Sequence, residues 1–239
     1  GVPTMHQTIM LRAEKNLELA KNLNLRLVRS SSASLPPAVF DKLNKVFNCP
    51  VIEAYGMTEA THQMTSNPLP PKKQKAGFVG IPAGPEVAIM NDNNQIMKNS
   101  EIGEICIKGN NVTSGYENNP EANKTSFSDG WFRTGDQGFF DKDGYLKISG
   151  RLKEIINKGG EKISPLEVDN VLMDHPSIEQ AVCFGYEDKM LGEDIATAII
   201  LKEGVSFTET DLKLYAKEKL VKFKIPKKIF FVTEIPKGA

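Results

Sequence analysis

Residues 25 to 55 read strand, helix, strand, and that order constrains the fold more than any other feature of the chain. "LRLVRS" (25–30) is a short β-leaning run, and "PVIEAY" (50–55) is a second. Between them "SASLPPAVFDKLNKVF" places Val39, Leu43, Val46 and Phe47 on one helical face. Ser34 is positioned to cap this helix, and prolines are tolerated in a first turn. A strand–helix–strand run implies parallel strands, because a dozen or more residues must cross over between them. In parallel sheets ligands bind beyond the carboxyl ends of the strands. The stretch "AYGMTEATHQM" (54–64) leaves such an end and crowds Thr58, Glu59, Thr61 and His62 into five residues.

Upstream, residues 5 to 23 read as one helix rich in Leu, Ala, Glu and Lys. From about residue 76 the texture changes to glycines and turn signals every few residues. Ile105 and Ile107 alternate with Glu104, Cys106 and Lys108, as in an antiparallel strand with one buried face. "KDG" (142–144) reads as a hairpin turn, and the region as a small distorted β-barrel. After Arg151 the texture changes again. Ser164, Pro165 and Glu167 spell a capping box. Strands "AVCFGYE" and "IATAIILK", a helix over about 209–221 and a strand "KIFFVTEIP" complete an α+β unit. The expected organisation is residues 1–150 as the C-terminal portion of a large α/β domain, with a βαβ region over 1–75 and a β-barrel region over 76–150. Residues 151–239 are then a small α+β domain, with the junction at 151–153.

Composition removes several function classes. Thirty basic residues balance thirty acidic ones, so bulk charge gives no forecast of nucleic-acid binding. No run of 18 apolar residues predicts a spanning helix. Cys49, Cys106 and Cys183 are far apart and form no CxxC, which reads as small reduced hydrophobes. The chain opens "GVPTMHQTIM" without an initiator Met and stops at "EIPKGA", so it reads as a piece of something longer.

"YGMTE" (55–59), "GEICIKG" (103–109), "WFRTGD" (131–136), "GRLKEIINKGGEKISPLEVD" (150–169) and "HPSIEQAVCFG" (175–185), in this order, resemble the adenylate-forming superfamily. That superfamily comprises acyl-CoA synthetases, luciferases and peptide-synthetase adenylation domains. "RSSSASLPP" and "MTEATHQMTSNPLPP" are similar in wording to the oxalate–CoA ligases of plants and fungi. The resemblance implies an acid–thiol ligase that uses ATP, Mg2+ and CoA and forms an acyl-adenylate. Its partners are then small molecules, with a cytoplasmic or peroxisomal location. A rival within the superfamily takes medium-chain or aromatic acids. Rivals outside it are a non-catalytic interaction module and a plain nucleotide-binding scaffold.

The same resemblance implies residue roles. Ser32, Ala33 and Ser34 border the adenine, Tyr55 lies along its face, and Glu53, Ala54 and Gly56 complete that wall. Thr58 meets phosphate and Glu59 ligates Mg2+, the two forming the catalytic pair. Asp136 accepts from the ribose hydroxyls beside Gly135, and Arg151 donates to ribose or phosphate. Lys153 is the hinge of a mobile small domain, and Gly159 and Gly160 border the CoA tunnel. His62, helped by Ser32, would donate to the second carboxylate of oxalate. Each motif has a plainer reading: a helix cap for Thr58–Glu59, a turn for Asp136, a solvated charge run for "RLKE", a hairpin for the glycine pair and a structural imidazole for His62. His6 and His175 read as structural. The superfamily's phosphate loop is expected to precede residue 1 and its adenylation lysine to follow Lys237. The 239 residues alone are therefore expected to bind nucleotide weakly and to catalyse poorly.

Overall fold

The structure, a computed structural model, describes residues 1–236. Lys237 lies outside the described residues. Two compact units divide between Ile148 and Ser149.

The first unit opens with α1 (Pro3–Glu14) and α2 (Leu17–Lys21), two helices where the composition predicts one. The break falls at Asn16, whose ψ of 46° leaves the helical region. Strand β1 (Val28–Ser30), helix α3 (Pro37–Phe47) and strand β2 (Val51–Tyr55) form the expected βαβ unit. β1 and β2 are parallel, with Ser30 opposite Glu53. Helix α3 begins after Pro36, not Ser34, because the two prolines fix the entry and no side chain caps it. Its buried stripe is Phe40, Leu43 and Phe47, with Val39 and Val46 at the flanks. The sheet continues through β3 (Thr65–Ser66) and β4 (Ile81–Pro82), both antiparallel.

A curled, half-barrel sheet follows: β5 (Glu86–Met90), β6 (Gly103–Lys108), β7 (Phe127–Ser128), β8 (Trp131–Phe140) and β9 (Leu146–Arg151), with the short helix α4 (Pro120–Ser126) before β7. The Asp141–Tyr145 turn closes the β8–β9 hairpin, as "KDG" predicts. Strand β6 departs from simple alternation. Ile105 and Ile107 face one core, yet Glu104 and Cys106 are also buried. The second face is covered: Cys106 packs with Ala88, Met90 and Trp131, and Glu104 pairs with Arg133. Burial pushes the Cys106 thiol up to about 12, and all three cysteines are free and buried.

In the second unit β10 (Ile156–Lys158) and β11 (Glu161–Ile163) form a hairpin, followed by α5 (Pro165–Met173), β12 (Ile178–Asp188), β13 (Gly192–Leu201), α6 (Glu209–Lys219) and β14 (Lys228–Phe231). β13 takes β12 antiparallel and β14 parallel. Helices α5 and α6 cover this sheet through Val168, Leu172, Leu212 and Ala216. Ser164 stands at the N-cap of α5, but its hydroxyl donates to the Ser149 carbonyl, so the expected capping box does not form. The capping box lies instead on α6, where Thr208 and Asp211 bond reciprocally. Among the described residues no helix is long and apolar enough to cross a membrane.

Candidate functional site

β1 and β2 run parallel, so the segments after Ser30 and after Tyr55 leave the same edge of the sheet. The first, Ser31 to Leu35, is tied to β2 by Glu53. That carboxylate is 1% exposed, and its Oε1 accepts from the Leu35 backbone N–H at 2.8 Å. Burial raises its pKa to about 7, against the lowering effect of the Leu35 bond. Glu53 thus turns inward and holds Ser32, Ala33 and Ser34, all three exposed, in their loop. Its backbone oxygen takes Asn67, which locks β3 alongside.

After Tyr55 the chain makes a tight reversal. Thr58–Ala60 is a 3-10 turn, and Thr61 and His62 follow at φ of 51° and 79°. The His62 N–H donates to the Met57 carbonyl at 2.9 Å. Gly56 is required here, because a Cβ would sit 1.2 Å from the His62 carbonyl oxygen. Ala60 and Met64 anchor the reversal, both buried in the half-barrel core. His62 therefore does not continue a helix beyond Glu59. It folds back against Gly56, with an exposed side chain.

Asp136 reaches the site by a bulge. Glu104 pairs with Gln137 and Cys106 with Arg133, so Thr134, Gly135 and Asp136 all stand opposite Ile105. The surplus backbone groups are satisfied locally. The Thr134 hydroxyl donates to the Ile105 carbonyl, the Gly135 N–H to Glu104, and the Asp136 N–H to Thr134. The bulge delivers the Asp136 carboxylate to the Tyr55 hydroxyl, which donates to it at 2.5 Å. Tyr55 and Asp136 are 81 residues apart in sequence, and the fold makes them neighbours.

Glu59 is half-buried, and its Oε1 accepts from the Tyr116 hydroxyl at 2.7 Å. Burial, then Glu59 itself, pushes the Tyr116 phenol up to about 12. Tyr116, Asn111 and Thr113 escape the motif reading. Thr113 N–H donates to the Glu59 carbonyl, the Asn111 amide to that of Ala60, and the Thr61 hydroxyl to that of Asn111. These pairings cross about fifty residues and leave no periodic signal in the sequence. Among the described residues no group of three or more His, Cys, Asp or Glu side chains is arranged for a metal. A lone, oriented carboxylate nevertheless fits Mg2+, which keeps several waters and is held by one or two carboxylates plus substrate phosphates. Thr58, exposed, begins the same turn.

Arg151, Lys153, Gly159 and Gly160 belong to the second unit. Exposed Arg151 ends β9, and exposed Lys153 sits in the 3-10 turn Leu152–Glu154. Gly159 and Gly160 are the two-residue loop of the β10–β11 hairpin, with φ of 61° and 95°. Positive φ at both positions is what a type I′ turn demands. The hairpin is pinned by Lys158, which meets the buried Asp194 at 2.5 Å, and by the Gly159 N–H on the Leu191 carbonyl.

Comparison with known proteins agrees with these motifs. A family model described as AMP-binding enzyme matches residues 1–117, and its C-terminal domain model matches residues 167–239. The oxalate–CoA ligase of Arabidopsis thaliana is 52% identical over all of this chain, which covers 46% of that protein. The oxalate–CoA ligase of Saccharomyces cerevisiae is 52% identical over 90% of the chain and 40% of the relative. The chain thus spans about half the length of the curated relatives it matches. Among solved structures, o-succinylbenzoate coenzyme A synthetase from Bacillus subtilis, in complex with ATP and magnesium ion, is 34% identical. It aligns over 99% of this chain and 48% of its own with a TM-score of 0.84. The two family models together span most of the chain, and it belongs to the AMP-binding enzyme family, the adenylate-forming superfamily its motifs resemble.

Proposed function

We propose that this chain is part of an ATP-dependent acid–thiol ligase, and that the acid is oxalate. A carboxylate oxygen of the acid attacks the α-phosphorus of ATP, the bond to the bridging oxygen breaks, and pyrophosphate leaves. The sulfur of CoA then attacks the acyl carbon, its proton is released, and AMP departs. The first step brings an anion to a phosphorus ringed by negative oxygens, so positioning and charge neutralisation carry it. The observation that carries the reading is the Tyr55–Asp136 hydrogen bond. It joins two motifs into one wall suited to a nucleoside: an aromatic ring for the base and an adjoining carboxylate for the ribose hydroxyls. The 52% identity to oxalate–CoA ligases supports the choice of acid.

In this scheme Ser32–Ser34 and the β2 end, Glu53 to Gly56, border the adenine, with Glu53 acting from within as the tie. The Thr58 hydroxyl donates to phosphate, and Glu59 holds Mg2+. When bound, the cation neutralises phosphate charge. Arg151 donates its planar fork to ribose or phosphate, Lys153 is the hinge of domain rotation, and the Gly159–Gly160 turn borders the CoA path. His62, with Ser32, donates to the distal carboxylate of oxalate. The test is an acid panel with the full-length protein, ATP, Mg2+ and CoA, scoring AMP release. Oxalate should give the highest kcat/KM. A better medium-chain or aromatic acid would overturn the choice of oxalate. No CoA-dependent AMP release with any acid would overturn the ligase reading.

A further inference from the structure

The segment after β6 is bonded to the 59–63 reversal through Thr113, Asn111 and Thr61, so it frames the loop that carries Glu59. Tyr116 adds a contact to the carboxylate itself. Its own position is fixed from three sides. The Asn123 amide clamps its backbone at both polar groups, accepting from the Tyr116 N–H at 2.7 Å and donating to its carbonyl at 2.9 Å. Its ring packs beside Phe132, itself 2% exposed, with centroids 6.4 Å apart. Among the described residues no donor meets the other oxygen of Glu59, Oε2.

We infer that Tyr116 is a positioning residue for the cation: its phenol fixes Oε1 of Glu59 and thereby aims Oε2 at the metal. The inference rests on the reading of Glu59 as the cation's carboxylate. Mg2+ demands near-ideal octahedral geometry, so a carboxylate free to rotate is a poorer ligand than one held by a second hydrogen bond. A phenol hydroxyl is protonated at neutral pH, so it is available to donate to the carboxylate. A glutamate also loses rotamer freedom on binding a metal, and a carboxylate already held has less to lose.

The experiment compares wild type, Tyr116→Phe, Glu59→Gln and the double variant in the full-length protein. Mn2+ binding is read from loss of the free-ion EPR signal in the presence of α,β-methylene-ATP, and thermal midpoints are measured alongside. Tyr116→Phe removes one oxygen and leaves the ring, so the fold is retained. Loss of a partner that orients a metal ligand typically costs 10- to 100-fold in metal affinity, and about 10-fold weaker Mn2+ binding is expected. In the double variant the tyrosine change should have no further effect, because its target carboxylate is gone. If Glu59→Gln weakens Mn2+ binding and Tyr116→Phe does not, the positioning role is overturned and the Glu59 reading stands. If Glu59→Gln itself leaves Mn2+ binding unchanged, the Glu59 reading fails first. A lowered thermal midpoint with unchanged Mn2+ binding would make Tyr116 structural only.

Discussion

At the residue scale the motif positions were legible, and the partners that aim them were not. Asp136 could be picked out because a carboxylate follows Gly135 in "RTGD". Its 2.5 Å bond from Tyr55 depends on a bulge opposite Ile105 that no local pattern announces. The resemblance puts Glu53 in the nucleotide wall, yet its carboxylate is buried and tied to Leu35. A hydrogen bond to a charged group is worth roughly 1.5–3 kcal/mol, so if Asp136 holds the ribose as proposed, Asp136→Ala in the full-length protein should lower kcat/KM for ATP about 10- to 100-fold. Steady-state kinetics at varied ATP checks this, and an unchanged value would remove Asp136 from the ribose role. His62 is exposed at φ 79°, a backbone that histidine tolerates better than most residues. If its ring donates to the distal carboxylate of oxalate, His62→Ala should cost roughly 1.5–3 kcal/mol with oxalate and less with a monocarboxylic acid. Any backbone cost of the substitution falls on both acids alike, so equal losses would make His62 structural.

At the element scale, periodicity located the helices and strands, and local chemistry misplaced several ends. α3 starts later than Ser34 because consecutive prolines set its entry, and Ser164 spends its hydroxyl on Ser149 instead of its own helix. The true reciprocal cap, Thr208 with Asp211, carries an aspartate where the box usually has Glu or Gln. The alternation in β6 promised one buried face, and Trp131 and Arg133 supply cover for the other. The turn Leu152–Glu154 is short, exposed and flanked by extended backbone at Arg151 and Ile155, as a segment that absorbs rotation would be. Lys153→Pro fixes φ there and should impair CoA transfer more than adenylate formation, measured as pyrophosphate exchange. Equal loss of both half-reactions would exclude Lys153 as the hinge.

At the scale of the whole molecule, the changes in texture near residues 76 and 151 were legible because parallel, antiparallel and mixed regions bury residues at different periods. What no period reveals is that each unit hides one carboxylate that burial pushes to about 7: Glu53 in the first and Asp169 in the second. Each accepts a backbone bond, from Leu35 and from Cys183. Unfolded, these groups titrate near 4, so between about pH 4 and 7 the folded state binds more protons than the unfolded one. The stability each confers is therefore greatest at acid pH, falls through that window and levels off above pH 7. The full penalty is on the order of 3 kcal/mol per group. His6 and His175 oppose this, since their lowered pKa values cost stability as pH falls below about 6.5. Glu53→Gln and Asp169→Asn isolate the carboxylates, because each keeps an acceptor oxygen and removes the buried charge. Hydrogen exchange should show Glu53→Gln protecting β2 more than wild type at pH 8 and equally at pH 4.5, with β12 unaffected. Asp169→Asn should do the converse, protecting β12 and leaving β2 unchanged. A gain that is the same at both pH values would mean these carboxylates do not titrate in that window. A gain that spreads to the other unit would mean the two do not open independently.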